Sequence, residues 1–343
     1  MASAVLVRLG LSLACAAVAL ALAAPAAHAQ TAPPDLAPVT VKAMRDPVEK
    51  SYRKMVKGMD VFERLHAMAP QAQLRYKLLP RQPGTPLDGV VLKVMGDTVT
   101  LNVPIAPDHS FTLPRDQLAW DEDAQVIPNR KTRSMTWRTE IRTPGLPPHT
   151  RRLGDLRLEC EVGAVADLIS EPLSTFGALA DLLSGPADLC RGTARRYLLF
   201  ADKPVFTVTL VHGARRQVVP VDDMYLAQSA ERLSDSELTH SDAQSLLDRA
   251  FVLPLGDASW PDDTLVVCEA MEGSPAHDEA KPATQGEPTL VRFTSGYQVR
   301  VYRLPEGRDG KPQGEFVQLL DPAGRVTKAR TRLALPSEDR QRG

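Results

Sequence analysis

VVLKVMGDTVTLNVPIAPDHSFTLP, residues 90–114, is the stretch on which the fold class turns. Val90-Val91-Leu92-Lys93-Val94 comes first, then Gly96-Asp97, then Val99, Leu101, Val103 and Ile105 at every second position. A period of two on either side of a Gly-first tight turn is the pattern of a β-hairpin. Pro107-Asp108 turns the chain again before Phe111 and Leu113. Three short strands in one stretch predict a β-meander within a sandwich-like unit.

Toward the N-terminus, Asp46-Pro47-Val48-Glu49 offers a capping residue, a proline at the first helical position and an acid three residues after the cap. Val48, Tyr52, Met55, Met59 and Phe62 then recur at spacings of four and three, before Pro70. This places them on one helical stripe, with Lys50, Arg53, Lys54 and Lys57 mostly around the other side. About two heptads is short for a coiled coil, so the helix is expected to pack on its own domain rather than on a partner.

Toward the C-terminus, residues 161–190 form an apolar insert that Pro172, Gly177 and Pro186 divide into two short helices. A second β unit starts near Arg195, where Phe206, Val208 and Leu210 alternate, Gly213 turns, and Val219 and Val221 return. Met224 to Ala250 reads helical, with Ser241 and Gln244 as a capping box. Strands are expected at 264–270, 289–293, 297–304, 315–320 and 325–335, with Asp321-Pro322-Ala323-Gly324 as one of the turns. Residues 272–288 read as a surface loop. The expected class is α+β, mainly antiparallel β. Its parts are a signal peptide (1–29), a leader (30–45), a helix plus β-sandwich-like domain (46–160), the helical insert (161–190), a second β-rich domain (191–335) and a tail (336–343).

Within residues 87–116, the run from Val99 to Pro114 contains Pro104 and Asp108-His109-Ser110-Phe111-Thr112-Leu113-Pro114. It resembles the strand-turn-strand of carboxypeptidase regulatory-like (transthyretin-type) β-sandwich modules, with their D-G-x-F-x-L-P pattern. His109 stands where that pattern has glycine. The resemblance covers about a tenth of the chain and implies a non-catalytic folding or binding module, without naming a ligand.

The N-terminus speaks to compartment. Arg8 is the only charge in the first 34 residues, an apolar run from Leu9 to Ala24 follows, and Pro25 breaks it. Ala27-His28-Ala29 supplies small residues at the two positions read by a signal peptidase. The run is shorter than the ~20 residues of a membrane span. A periplasmic protein starting at Gln30 is expected, with no transmembrane span after cleavage. Cys160, Cys190 and Cys268 then remain, and an oxidising compartment favours a bridge. Cys160–Cys190 would close a loop of about 30 residues, worth roughly 3–4 kcal/mol, and tie a strand end to the end of the helical insert. Either could pair with Cys268 instead, and all three choices stand.

No dinucleotide or P-loop glycine motif, H-E-x-x-H, EF-hand loop, C-x-x-C or G-x-S-x-G is present. No cofactor, metal or catalytic residue is therefore expected. His66, His109, His149, His212, His240 and His277 are scattered. Asp121-Glu122-Asp123 reads as a solvated turn rather than a cation site, because adjacent acids cannot all point one way. Lys+Arg 41 against Asp+Glu 42 argues against a nucleic-acid partner.

Charge is sorted along the chain. Between Arg130 and Arg157, eight cations face only Glu140 and Asp155, a net +6. Between Asp222 and Glu279, fourteen acids face only Arg232 and Arg249, a net −12. The basic stretch includes the stiff run Thr143-Pro144-Gly145-Leu146-Pro147-Pro148, with Trp137 nearby. It either docks on the acidic half of its own chain or grips an anion, since guanidinium forks engage phosphate and carboxylate bidentately. Residues Leu153–Cys160, with charges beside Leu156 and Leu158, read as a half-exposed strand. The expected function is that of an exported, non-enzymatic accessory or binding protein. Trp137, Arg138, Arg142, Arg151 and Arg152 would contact an anionic envelope component or an acidic periplasmic protein. The alternatives are a hydrolase of envelope polymers with a non-motif site, and a subunit of a secretion or surface apparatus.

Overall fold

Alternation of period two along most of the described chain produces an α+β architecture, mainly antiparallel β with several sheets. The computed structural model describes residues 49–80, 85–130, 135–168, 186–191, 197–225, 247–273, 280–307 and 313–333. The expected signal peptide, leader, Met224–Ala250 helix with its capping box, and most of the helical insert lie largely or wholly outside them.

The first region runs Lys50–Ser51 (β1), Tyr52–Leu65 (α1), Gln73–Pro80 (β2), Leu92–Met95 (β3), Thr100–Val103 (β4), Ser110–Phe111 (β5), Gln117–Asp121 (α2), Gln125–Pro128 (β6) and Met135–Arg142 (β7). Its strands form two sheets, ordered β1-β6-β3-β4 and β5-β2-β7. Leu78, Leu92, Val94, Phe111, Val126 and Trp137 share one apolar core between them. The expected hairpin is β3–β4, in register from Leu92↔Val103 to Met95↔Thr100 and closed by Gly96 N donating to Val99 O at 2.9 Å. Glycine is required at 96 because a Cβ there would collide with the Glu122 carboxylate. That carboxylate accepts from Thr98 N (2.9 Å), Val99 N (3.1 Å) and the Thr98 hydroxyl, so it caps the hairpin.

The expected three-strand meander is corrected. β5 leaves the first sheet and pairs with β2 at Tyr76↔Phe111. The chain turns at His109, whose φ of +63° is the left-handed conformation that glycine adopts most easily. Asp108 holds the turn by accepting from Ser110 N (3.1 Å) and Ser110 Oγ (2.6 Å).

The expected helix start at Asp46 is also corrected. Lys50–Ser51 pair with Val126 and Gln125 as a short strand, and Ser51 is the N-cap, accepting from Lys54 N at 3.4 Å. Sheet pairing thus delays the helix by about one turn. Of the expected stripe, Tyr52 and Met55 are buried and Met59 and Phe62 half-buried, while Val48 lies outside the described residues. Val56 and Val61 widen the buried face, and the helix packs on its own domain. Gly58 lets it approach closely, since an added Cβ would lie 3.0 Å from Ala166 Cβ and 3.2 Å from Val162 O.

Those last two residues belong to Leu153–Ala166 (α3), which follows Thr150–Arg152 (β8). The half-exposed strand expected at Leu153–Cys160 is therefore a helix, and the expected 160/161 boundary falls inside it. The reason is burial on every side. Leu153, Leu156 and Cys160 enter one core, Leu158 and Val162 a second, and Ala166 a third. Asp155, Glu159 and Glu161 are buried too, so no polar face marks the 3.6-residue period. Arg152 is the N-cap, and the fully buried Asp155 fixes the helix start by accepting from Arg152 N (3.4 Å), Thr143 N (3.0 Å) and Thr143 Oγ1 (2.7 Å).

Beyond α3 come Pro186–Arg191 (α4), Leu198–Phe200 (β9), Val205–His212 (β10), Arg215–Val218 (β11), Ala250–Val252 (β12), Leu265–Ala270 (β13), Gln285–Arg292 (β14), Gln298–Arg303 (β15), Gly314–Leu320 (β16) and Val326–Leu333 (β17). The five expected C-terminal strands are all present. Gln285–Pro288, expected as loop, belongs to β14, which pairs with β15. The sheets are β11-β10-β13-β8, β12-β9 and the meander β14-β15-β16-β17. Cys160–Cys190 is the disulfide, with Cα atoms 5.7 Å apart, and it joins two helices rather than a strand to a helix.

Candidate functional site

Strand β7 is where apolar and ionic chemistry separate. Trp137 and Ile141 point into apolar cores, while Arg138, Glu140 and Arg142, two residues apart, share the opposite face. Lys77 of β2 lies opposite Arg138 in the antiparallel register. The β9–β12 ribbon approaches this face and delivers Phe200, Asp202 and Arg249, with Ala201 N donating to Arg249 O at 3.0 Å. Between them lies a partly open cavity of about 220 Å³.

Among its described lining residues are four cations, Lys77, Arg138, Arg142 and Arg249, and three carboxylates, Glu140, Glu159 and Asp202. Arg142 links two of the carboxylates, donating from Nε to Glu140 at 2.9 Å and from Nη2 to Asp202. Lys77 Nζ is 3.2 Å from the same Glu140 oxygen. Arg138 stacks 3.9 Å from the centre of the Phe200 ring and donates to Leu198 O at 3.2 Å. Arg249 donates to Asp202 O at 2.8 Å, and its Nε is 3.9 Å from Asp248. Leu79, Pro80, Leu87 and Phe200 supply an apolar wall.

Burial on its own would raise the Asp202 pKa, but the Arg142 guanidinium outweighs it and holds the carboxyl below its ordinary range. Burial likewise opposes the Arg142 charge, and Asp202 and Glu140 more than restore it. A carboxylate with a depressed folded pKa contributes stability that is present above its unfolded value and lost as pH falls through the folded one. Asp202→Asn is therefore expected to flatten the fall of melting temperature below pH ~4 relative to the wild type. Parallel acid limbs in the two proteins would show that the Arg142–Asp202 pair is not what titrates there.

The residues singled out from sequence are dispersed. Arg138 and Arg142 line the cavity. Arg151 lies behind it, its Nη2 donating to Glu159 Oε2 and Ile141 O, both at 2.6 Å. Arg152 sits at the start of α3, and Trp137 is 2% exposed, edge-to-face with Phe111 at 5.7 Å. None of these is on the loop at 143–148, and Trp137 faces away from the cavity. Lys131 and Arg133 lie outside the described residues. The basic stretch meets the acidic half through the β8–β13 ladder and through Arg157, which reaches Asp262 Oδ1 at 2.5 Å and the carbonyls of Leu255, Asp257 and Trp260.

Sequence reading missed Lys77, Asp202 and Arg249, which enter from three distant segments. The one available signal was Arg138-x-Glu140-x-Arg142, alternate charges on a strand whose other residues are uncharged. The three acids at 121–123 diverge: Asp121 accepts from Gln117, Glu122 caps the hairpin, and Asp123 pairs with Arg53 at 3.6 Å. Cys268 donates its backbone N–H to His149 O at 2.9 Å, and burial pushes its thiol up to about 12, away from a reactive thiolate. Among the described residues, no cluster of His, Cys, Asp or Glu is placed to hold a metal ion, and no helix is long and apolar enough to cross a membrane. Comparison of the chain with family models, curated proteins and solved structures finds no match.

Proposed function

We propose that this chain is an exported, periplasmic, non-enzymatic binding or accessory protein of the cell envelope, and that the cavity beside β2 and β7 receives an anionic envelope component or an acidic group of a partner. One observation carries the reading. Four cations outnumber three carboxylates among the described residues lining a cavity of about 220 Å³, a setting in which an anion restores charge balance where screening is weak. The leader-like sequence of residues 1–29 and the Cys160–Cys190 bridge support export. The transthyretin-type resemblance at residues 87–116 favours a binding module over an enzyme. Arg138 and Arg142 keep their expected role here, Arg151 supports them from behind, and Trp137 and Arg152 are left out of the contact surface.

The test uses mature chain recovered from the periplasm, whose first residue is expected to be Gln30. Titration with phosphate-bearing lipopolysaccharide fragments and with peptidoglycan stem peptides is expected to give saturable binding to one of the two. The affinity should fall at least about tenfold between low and high salt, because the contact is ionic. Lys77→Gln with Arg142→Gln is expected to abolish it. Binding that ignores salt, or survives both substitutions in a folded protein, overturns the assignment to this cavity.

A further inference from the structure

We infer that the cavity selects a single carboxylate carried on a short apolar body, and that it discriminates against phosphate; this rests on the anionic-site reading above. Three features carry it: size, the layout of the wall and the charge arrangement.

The volume of about 220 Å³ lies below the ~300–1,000 Å³ typical of pockets for drug-sized ligands. It holds a small molecule or the end of a chain. The wall is divided along the strands. On β2, Lys77 is followed on the same face by Leu79, and their partners on β7 are Arg138 and Thr136. The ionic end therefore lies toward Glu140 and Arg142, and the apolar end toward Leu79, Pro80 and Leu87, while the Phe200 ring stacks on Arg138. A bare inorganic anion leaves that apolar end facing water, whereas a ligand with a charged head and an apolar body fills both.

The charge arrangement separates carboxylate from phosphate. Arg142 is already divided between Glu140 and Asp202, so those two fixed negative charges remain beside any incoming anion. Lys77 directs one contact to Glu140, and Arg249 directs one N–H to Asp202 O. An ammonium has three N–H donors and a guanidinium five, so both retain donors for a ligand. The lining carries one more cation than carboxylate among its described residues. One negative charge balances it. Among the described lining residues the second charge of phosphate meets no further lysine or arginine, and it is repelled by Glu140 and Asp202.

Isothermal titration of the full mature chain tests this with N-acetyl-leucine, 4-methylpentanoate, N-acetyl-leucine amide and inorganic phosphate. At least one of the two carboxylates is expected to bind, and which one does separates a peptide C-terminus from a short fatty acid as the source. The amide should bind at least tenfold more weakly, and phosphate should not compete. Lys77→Gln is expected to weaken carboxylate binding about tenfold in a protein that remains folded. Glu140→Gln, which removes one of the repelling charges while keeping the shape, is expected to admit phosphate. Phosphate binding the wild type as tightly as either carboxylate overturns the inference but leaves an anionic site standing, as does equal binding of the amide. Failure of both carboxylates and phosphate to bind a folded wild type overturns the inference and the anionic cavity together.

Discussion

Glu159→Leu lowers the folding stability of this chain by about 3–5 kcal/mol, the loss expected when one partner of a buried ion pair is removed. Arg151 and Glu159 meet at 2.6 Å, with side chains only 11% and 6% exposed. Deleting the carboxylate strands a guanidinium that keeps its hydrogen bond to the Ile141 carbonyl. The penalty comes mainly from that uncompensated charge rather than from the lost attraction. The double variant Arg151→Met/Glu159→Leu should consequently recover most of the stability, since apolar replacement of a whole buried pair is often neutral or better. Urea denaturation of the wild type, both single variants and the double variant measures the coupling directly. A loss below about 1 kcal/mol for Glu159→Leu would mean that water reaches the pair, contrary to the burial described. The pair matters for the site because Glu159 lines the cavity and Arg151 stands behind it.

Breaking the Cys160–Cys190 bridge has the next largest effect. The cross-link spans 30 residues, and loop-closure arithmetic gives roughly 3–4 kcal/mol for a loop of that length. Both residues are buried, at 0% and 3% exposure, in the core that α3 shares with the C-terminal sheets. Cys160→Ala and Cys190→Ala should each lose the whole contribution, and reductant should reduce the wild type to a similar level. Cys268→Ala should change stability little. Digestion without reductant, followed by mass spectrometry, should recover a Cys160–Cys190 peptide pair. A fragment linking Cys268 instead would remove the basis of this prediction.

Elements with a local period were readable. The β3–β4 hairpin and the meander β14–β17 alternate with one face toward a core, and their turns carry glycine or aspartate at the bends. At the last of them, Asp321 accepts from Ala323 N and Arg325 N, both at 2.9 Å, and Gly324 takes a φ of +78°. Helix α3 was not readable, because a helix buried all round shows neither an apolar stripe nor a polar face. The alternating charges that looked like a strand surface are inward-facing groups satisfied by distant partners, as Arg157 is by Asp262. The helix start at Asp46 was misread for a related reason. Its local capping signal is sound, yet Lys50 and Ser51 are claimed by pairing with β6.

The candidate site divides in the same way. Arg138, Glu140 and Arg142 share one face of β7 whatever surrounds them, because successive strand side chains alternate and these are two apart. Their neighbours were beyond reach. Lys77 arrives through the β2–β7 register, Asp202 through the turn after β9, and Arg249 through the β9–β12 pairing. The sequence by itself determined the α+β class, most strands and an apolar stripe on α1, whereas the structure selected Cys160–Cys190 from the three possible cysteine pairs. Only the tertiary structure decided which arginines are buried, which carboxylates they meet and where a cavity is left between them. Period and turn chemistry act over a few residues and are written in consecutive positions. Ion pairing and cavity formation depend on groups that folding brings together from more than a hundred residues apart, as it does Arg142 and Arg249.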